Sequence, residues 1–183
     1  MTKRIDARNV SISGRRVLFD TNIWLFLNGY SNEASRKTTI YSEAYKQLLE
    51  NDNVIIINDY VLGEFCNRSC KIEYENHKSC SEKPDEFPSF KRYRATSEFA
   101  PAMESVRDTC LNIIDDCEFV PVDGGHYKIT DVLMQFCRGN LDFTDLILAD
   151  YCSSESAVLM TDDFDFAGRG MEIITANPKI LRS

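Results

Sequence analysis

Four acidic residues stand where apolar stretches give way to polar chain. They are Asp20 after Val17-Leu18-Phe19, Glu64 in Val61-Leu62-Gly63-Glu64-Phe65, Asp145 in Thr144-Asp145-Leu146-Ile147, and Asp163 after Val158-Leu159-Met160-Thr161-Asp162. Carboxylates gathered at one place repel each other, so their convergence calls for a compensating cation; oxygen donors select a hard divalent metal. Singly, each has an ordinary reading: Asp20 as a turn residue, Glu64 as a solvated helix charge, Asp145 as a first-turn acid facing the helix dipole, Asp163 as a loop residue. What makes them a set is their order along one α/β pattern.

That pattern has to position them. Residues 16–19, the β-branched run Val54-Ile55-Ile56-Ile57, residues 118–121, 158–161 and 172–175 read as strands. Helices are expected over 33–50, from Asn58 or Asp59 onward with Val61, Leu62 and Phe65 inward, from about 98, over 129–136 closing at Gly139-Asn140, and over 143–153. Strands separated by helices predict an α/β domain with a mainly parallel sheet of about four to five strands and helices on both faces. Ligands of such sheets collect beyond the carboxyl ends of the strands. Asp20 and Asp162-Asp163 end two strands, Glu64 lies within helical reach of a third, and Asp142 and Asp145 share one face at a helix start.

At 183 residues, with 43% hydrophobic and 27% charged residues, the chain is expected to form one globular domain over 1–183. No apolar run is long enough to span a bilayer and the first residues lack a signal peptide's apolar segment, so a cytoplasmic protein is expected. The seven cysteines, an odd number, fit reduced thiols better than a disulfide framework. A net charge of -8 argues against nonspecific coating of nucleic acid, though not against a nuclease whose metal reverses the local sign.

The motifs Val17-Leu18-Phe19-Asp20-Thr21-Asn22, Val61-Leu62-Gly63-Glu64-Phe65, Thr144-Asp145-Leu146-Ile147-Leu148-Ala149 and Val158-Leu159-Met160-Thr161-Asp162-Asp163-Phe164-Asp165-Phe166 come in an order that resembles the PIN-domain nuclease family. That family includes the toxin components of VapC-type toxin–antitoxin pairs. The resemblance spans nearly the whole chain. It implies a single PIN-like domain and a metal-dependent endoribonuclease, with Asp20, Glu64, Asp145 and Asp163 as the acidic quartet around Mg2+ or Mn2+. Asp142 and Asp162 are further candidate ligands, with Asp165 behind them. Asn22 and Thr161 would hold the carboxylates by hydrogen bonds. Implied partners are an RNA substrate, an antitoxin protein and a second copy of the chain. The alternative is a PIN fold kept as a noncatalytic RNA-binding or protein-interaction module. A phosphotransferase with an aspartyl-phosphate intermediate also begins with an aspartate after a first strand. It places a second acid two residues on, where this chain has Asn22.

The chain departs from compact toxin-like members in residues 66–95, a polar, mildly basic insert. From 68 to 94 it carries seven Lys or Arg against five Asp or Glu. Its densest part, Lys91-Arg92-Tyr93-Arg94, reads either as a solvated surface loop or as a grip on a single strand through phosphate contact and base stacking. Cys66, Cys70, His77 and Cys80 could be read as a zinc set, although the tight Cys-x2-Cys pairs of zinc sites are missing. Gly124-Gly125-His126 reads as a turn, Trp24 and Phe26 as core, and Tyr60 as a partly buried tyrosine or a base-stacking platform.

Overall fold

The computed structural model describes residues 3–30, 34–82, 86–139 and 141–183. The sheet is built from short segments, β1 (Arg4–Asp6), β2 (Arg16–Phe19), β3 (Val54–Ile57), β4 (Glu118–Phe119), β5 (Val158–Met160) and β6 (Ile173–Thr175), of which the central ones are dense in aliphatic side chains. All six pair in parallel in the order β1-β6-β5-β2-β3-β4. Side chains alternate between the two faces of a strand, yet Val17, Leu18 and Phe19 are all fully buried, as are Val158, Leu159 and Met160. Both faces of the sheet centre are therefore covered, which explains why these strands read as continuous apolar runs.

The covering elements are α1 (Thr21–Leu27), α2 (Ala34–Glu50), α3 (Asp59–Cys80), α4 (Phe90–Tyr93), α5 (Ala100–Asp116), α6 (Ile129–Phe136), α7 (Phe143–Ser154) and α8 (Pro178–Arg182). Trp24 and Phe26 of α1 are buried in the main core, as expected. Pro101 occupies the first turn of α5, where its missing N–H costs no helical hydrogen bond. Of the expected stop at Gly139-Asn140, Gly139 has a left-handed φ of 70°, while Asn140 lies outside the described residues.

Two expectations need correction. The sheet has one strand more than four or five: β1, with a single buried residue, Ile5, pairs with β6 at the edge. The expected insert 66–95 is largely helical: α3 runs unbroken through 66–80 and ends only at Ser81, whose N–H bonds to the His77 carbonyl. A small satellite core of Tyr74, Tyr93 and Phe99 packs this extension against α4 and the start of α5. Residues 83–85 of the segment lie outside the described residues.

Because every strand points the same way, all their carboxyl ends lie along one edge. β2 sits between β5 and β3, so its end is the middle of that edge.

Candidate active site

Asp20 follows β2 directly, and its backbone N–H bonds to Met160 of β5 at 2.9 Å, carrying the ladder one residue past the strand. The chain then turns at once into α1, with Asp20 as the capping residue whose Oδ1 accepts the Thr21 N–H at 2.6 Å. Its Oδ2 accepts the Thr161 hydroxyl at 2.7 Å and the Asn22 side-chain amide. Asn22 in turn accepts the Asp162 N–H at 3.2 Å, and Thr161 accepts the Asp163 N–H at 3.0 Å. Asn22 and Thr161 therefore tie the end of β2 to the end of β5 around one carboxylate that is only 6% exposed.

Glu64, on the second turn of α3, accepts a hydrogen bond from Thr21 Oγ1 at 3.1 Å and an ion pair from Arg68, one turn on, at 3.4 Å. Asp145 lies in the first turn of α7, half-buried. Asp163, exposed past β5, caps the turn at 164–166 through the Asp165 N–H at 3.0 Å.

Asp20 and Asp145 feel the charges of the neighbouring acids. Burial foremost, offset by the Thr161 hydrogen bond and reinforced by the charges of Glu64 and Asp163, pushes the Asp20 carboxyl up to about 6. Burial again leads for Asp145, followed by the charges of Asp20, Asp163, Asp142 and Glu64, and its carboxyl is pushed up to about 7. Carboxyls poised near neutrality beside other carboxylates are the electrostatic mark of an uncompensated acidic cluster. Among the described residues, no three Asp, Glu, His or Cys side chains converge on one ion-sized position. The described oxygens instead satisfy protein donors: Thr21 and Arg68 for Glu64, Asp165 N–H for Asp163.

Beside the cluster, Asp59, Tyr60, Glu64, Arg68 and Lys71 of α3 face Thr144 of α7 across a groove of about 580 Å³. Acids at the sheet edge thus adjoin a trough with two cations on its wall.

The architecture is similar to that of a chain in the crystal structure of VapBC2 from Rickettsia felis bound to a promoter DNA fragment. The TM-score is 0.53 at 17% identity, covering 87% of this chain and 98% of that one. The chain has a PIN-like fold. A chain of DNA-bound VapBC from Salmonella typhimurium is likewise similar to this PIN-like domain, with a TM-score of 0.52 at 14% identity over 88% of this chain and 98% of that one. No family model and no curated protein matches the sequence.

Within the PIN-like domain the other candidates separate. Asp162 turns away from the cluster: it accepts the Tyr41 hydroxyl at 2.6 Å and pairs with Lys37 at 2.8 Å. Both of its carboxylate oxygens are thereby engaged by protein groups. Asp142 holds the N-cap position of α7 without a side-chain cap hydrogen bond and adds its charge to the field on Asp145. Asp165 is exposed.

Lys91, Arg92 and Arg94 are exposed on and just after α4, with Arg94 over the Phe90 ring at 5.6 Å. Tyr93 between them is 3% exposed and stacks on His77 at a ring distance of 4.4 Å, so it cannot stack a base. The same stacking, with Cys66 turned to Cys110, dissolves the zinc reading of Cys66, Cys70, His77 and Cys80. Tyr60 lies on the groove and shares a hydrogen bond with Tyr127. Arg68, the ion-pair partner of Glu64, escaped the sequence reading: its only signal was its place one helical turn after Glu64, a spacing that many surface residues share.

Proposed function

We propose that the chain is a metal-dependent endoribonuclease that hydrolyses RNA phosphodiester bonds at the acidic sheet edge. The observation that carries this reading is the effect of the charges of Glu64 and Asp163 on the buried carboxyls of Asp20 and Asp145, four acids drawn from separated segments. The donor set fits Mg2+ or Mn2+, being all carboxylate oxygen, and a dication would relieve the raised proton affinities of Asp20 and Asp145. Asp20, Asp145 and Asp163 would hold the ion, with Glu64 as a further ligand or the group that orients the attacking water. Bound there, such an ion acidifies a water for attack on phosphorus and steadies charge on the phosphate.

The protein's own residues do the positioning. Thr161 and Asn22 fix the Asp20 carboxylate by hydrogen bonds, as ligands of functional metal sites generally require. Thr21 holds Glu64 toward the cluster. Arg68 and Lys71 on the groove wall supply phosphate contacts for a strand laid along α3. Glu64, hydrogen-bonded to Thr21 and Arg68, is placed to take a proton from a water entering from the groove.

The likeness to VapBC structures supports a toxin of a toxin–antitoxin pair, with an inhibitory antitoxin and a second copy of the chain as partners. Among the described residues no helix is long and apolar enough to cross a membrane.

Asp20→Asn tests the reading. RNA cleavage in magnesium or manganese is expected to fall by at least a hundredfold, on the order of the loss of a central catalytic interaction, while the circular dichroism spectrum is unchanged. Undiminished cleavage in the folded variant sinks it. No cleavage in the parent, with RNA binding retained, points instead to a noncatalytic module.

A further inference from the structure

The cysteines fall outside this chemistry, and two of them meet. Cys66 of α3 and Cys110 of α5 bring their sulfurs to 3.2 Å. Phe65 and Val106, neighbours of these thiols on the same two helices, are buried in one core, so the pair is held by packing rather than by a chance surface approach. Cys66 is partly exposed while Cys110 is 7% exposed, giving the pair an outer and an inner member. Among the described residues the remaining cysteines make no such sulfur contact; Cys80 and Cys137 are exposed and Cys152 is buried. A disulfide requires the sulfurs at roughly 2.05 Å, so they must close by about 1.1 Å, a distance within the reach of a side-chain torsion.

We propose that Cys66 and Cys110 are a modification site: a thiol pair that a peroxide converts to a disulfide joining α3 to α5. Cys66, the outer thiol, meets the oxidant first. Its sulfur attacks one peroxide oxygen, the O–O bond breaks, and Cys66 becomes a sulfenic acid with release of water. The Cys110 sulfur then attacks the Cys66 sulfur, the S–O bond breaks, and the departing hydroxide takes the Cys110 proton as a second water. The two thiols lose two electrons and the peroxide gains them. A compartment that keeps thiols reduced returns the pair to its open state, so the bond forms only under oxidant. Its location gives it a target: Cys66 lies between Glu64 and Arg68, the residues α3 presents to the groove. The chemistry itself is independent of what the groove cleaves.

The experiment uses the reduced full chain, exposed to a few equivalents of hydrogen peroxide, then unfolded and alkylated. The expected product alkylates at two fewer thiols than the seven in the sequence, is lighter by about 2 Da before alkylation, and yields a linked peptide pair containing Cys66 and Cys110. Dithiothreitol restores all seven thiols. The oxidised chain melts at a higher temperature than the reduced one, as a cross-link constrains the unfolded ensemble. In Cys110→Ala the sulfenic acid persists on Cys66 and is captured by dimedone. If that variant does not fold, the peptide map of the parent decides alone. Full alkylation after peroxide, a Cys66 to Cys70 link, or a link between two chains overturns the proposal.

Discussion

The Thr161 hydroxyl donates to Asp20 Oδ2 at 2.7 Å while its oxygen accepts the Asp163 N–H at 3.0 Å. One fully buried side chain just past β5 thereby fixes both the carboxylate at the end of β2 and the backbone of Asp163. It is also the strongest influence holding the Asp20 carboxyl down against burial.

Thr161→Val keeps the shape and loses the hydroxyl. The Asp20 carboxyl then rises above about 6, and the chain loses about 1.5–3 kcal/mol at pH 8, the usual worth of a hydrogen bond to a charged group. The loss is smaller at pH 5, where Asp20 is largely protonated. Urea unfolding at the two pH values measures both, and Thr161→Ser restores most of the difference.

Without divalent metal, stability falls as pH rises through the window between the ordinary carboxylate value and neutrality. Asp20 binds its proton up to about 6 in the folded chain but only up to about 3.8 unfolded. The folded state therefore holds more protons in that interval, and raising pH favours unfolding. For Asp20 the full effect is roughly 3 kcal/mol, complete above about pH 7. Asp145 acts in the same direction up to about 7. The parent-minus-variant stability of Asp20→Asn, followed from pH 4 to pH 8, must decline with pH; a flat difference contradicts the burial of this carboxyl.

Manganese at a hundredfold excess over its Kd should stabilise the parent by about 2.7 kcal/mol and Asp20→Asn not at all. Protons on Asp20 and Asp145 must leave as the ion binds, so affinity is weaker at pH 6 than at pH 8. Calorimetric titration in two buffers of different ionisation heat reads the proton release.

Tyr93 and Arg68 give opposite signatures. Tyr93→Ala empties the satellite core and costs about 3 kcal/mol of stability, with no effect specific to RNA. Arg68→Ala, an exposed ion pair, changes stability by less than about 1 kcal/mol. It lowers the slope of log affinity for single-stranded RNA against log salt by about 0.7.

The strands of the sheet centre were legible because burial on both faces leaves no polar alternation to misread, and Asp20 and Asp163 followed from the ends of those strands. β1 was not, since Arg4-Ile5-Asp6 offers one buried residue and its pairing is supplied by β6, more than 160 positions away. The extension of α3 read as an insert because its buried residues past Phe65 are Ser69 and Tyr74, whereas an apolar stripe is what marks a helix. Base stacking stayed open for Tyr93 for a similar reason: a tyrosine in a basic run carries no mark of the aromatic satellite core that encloses it. Asp162 and Asp163 are adjacent acids that the resemblance ranks, and the structure gives them different partners: Asp162 accepts the Tyr41 hydroxyl, while the charge of Asp163 acts on Asp20.

The parallel sheet has a kinetic consequence. Asp20, Glu64, Asp145 and Asp163 sit on segments that meet only once the strands around β2 are paired, so their repulsion is felt late, near the native state. Relieving it, by acid or by Asp20→Asn, should leave the refolding rate almost unchanged and slow unfolding instead. The acidic edge then governs how long each folded molecule lasts, rather than how fast it forms.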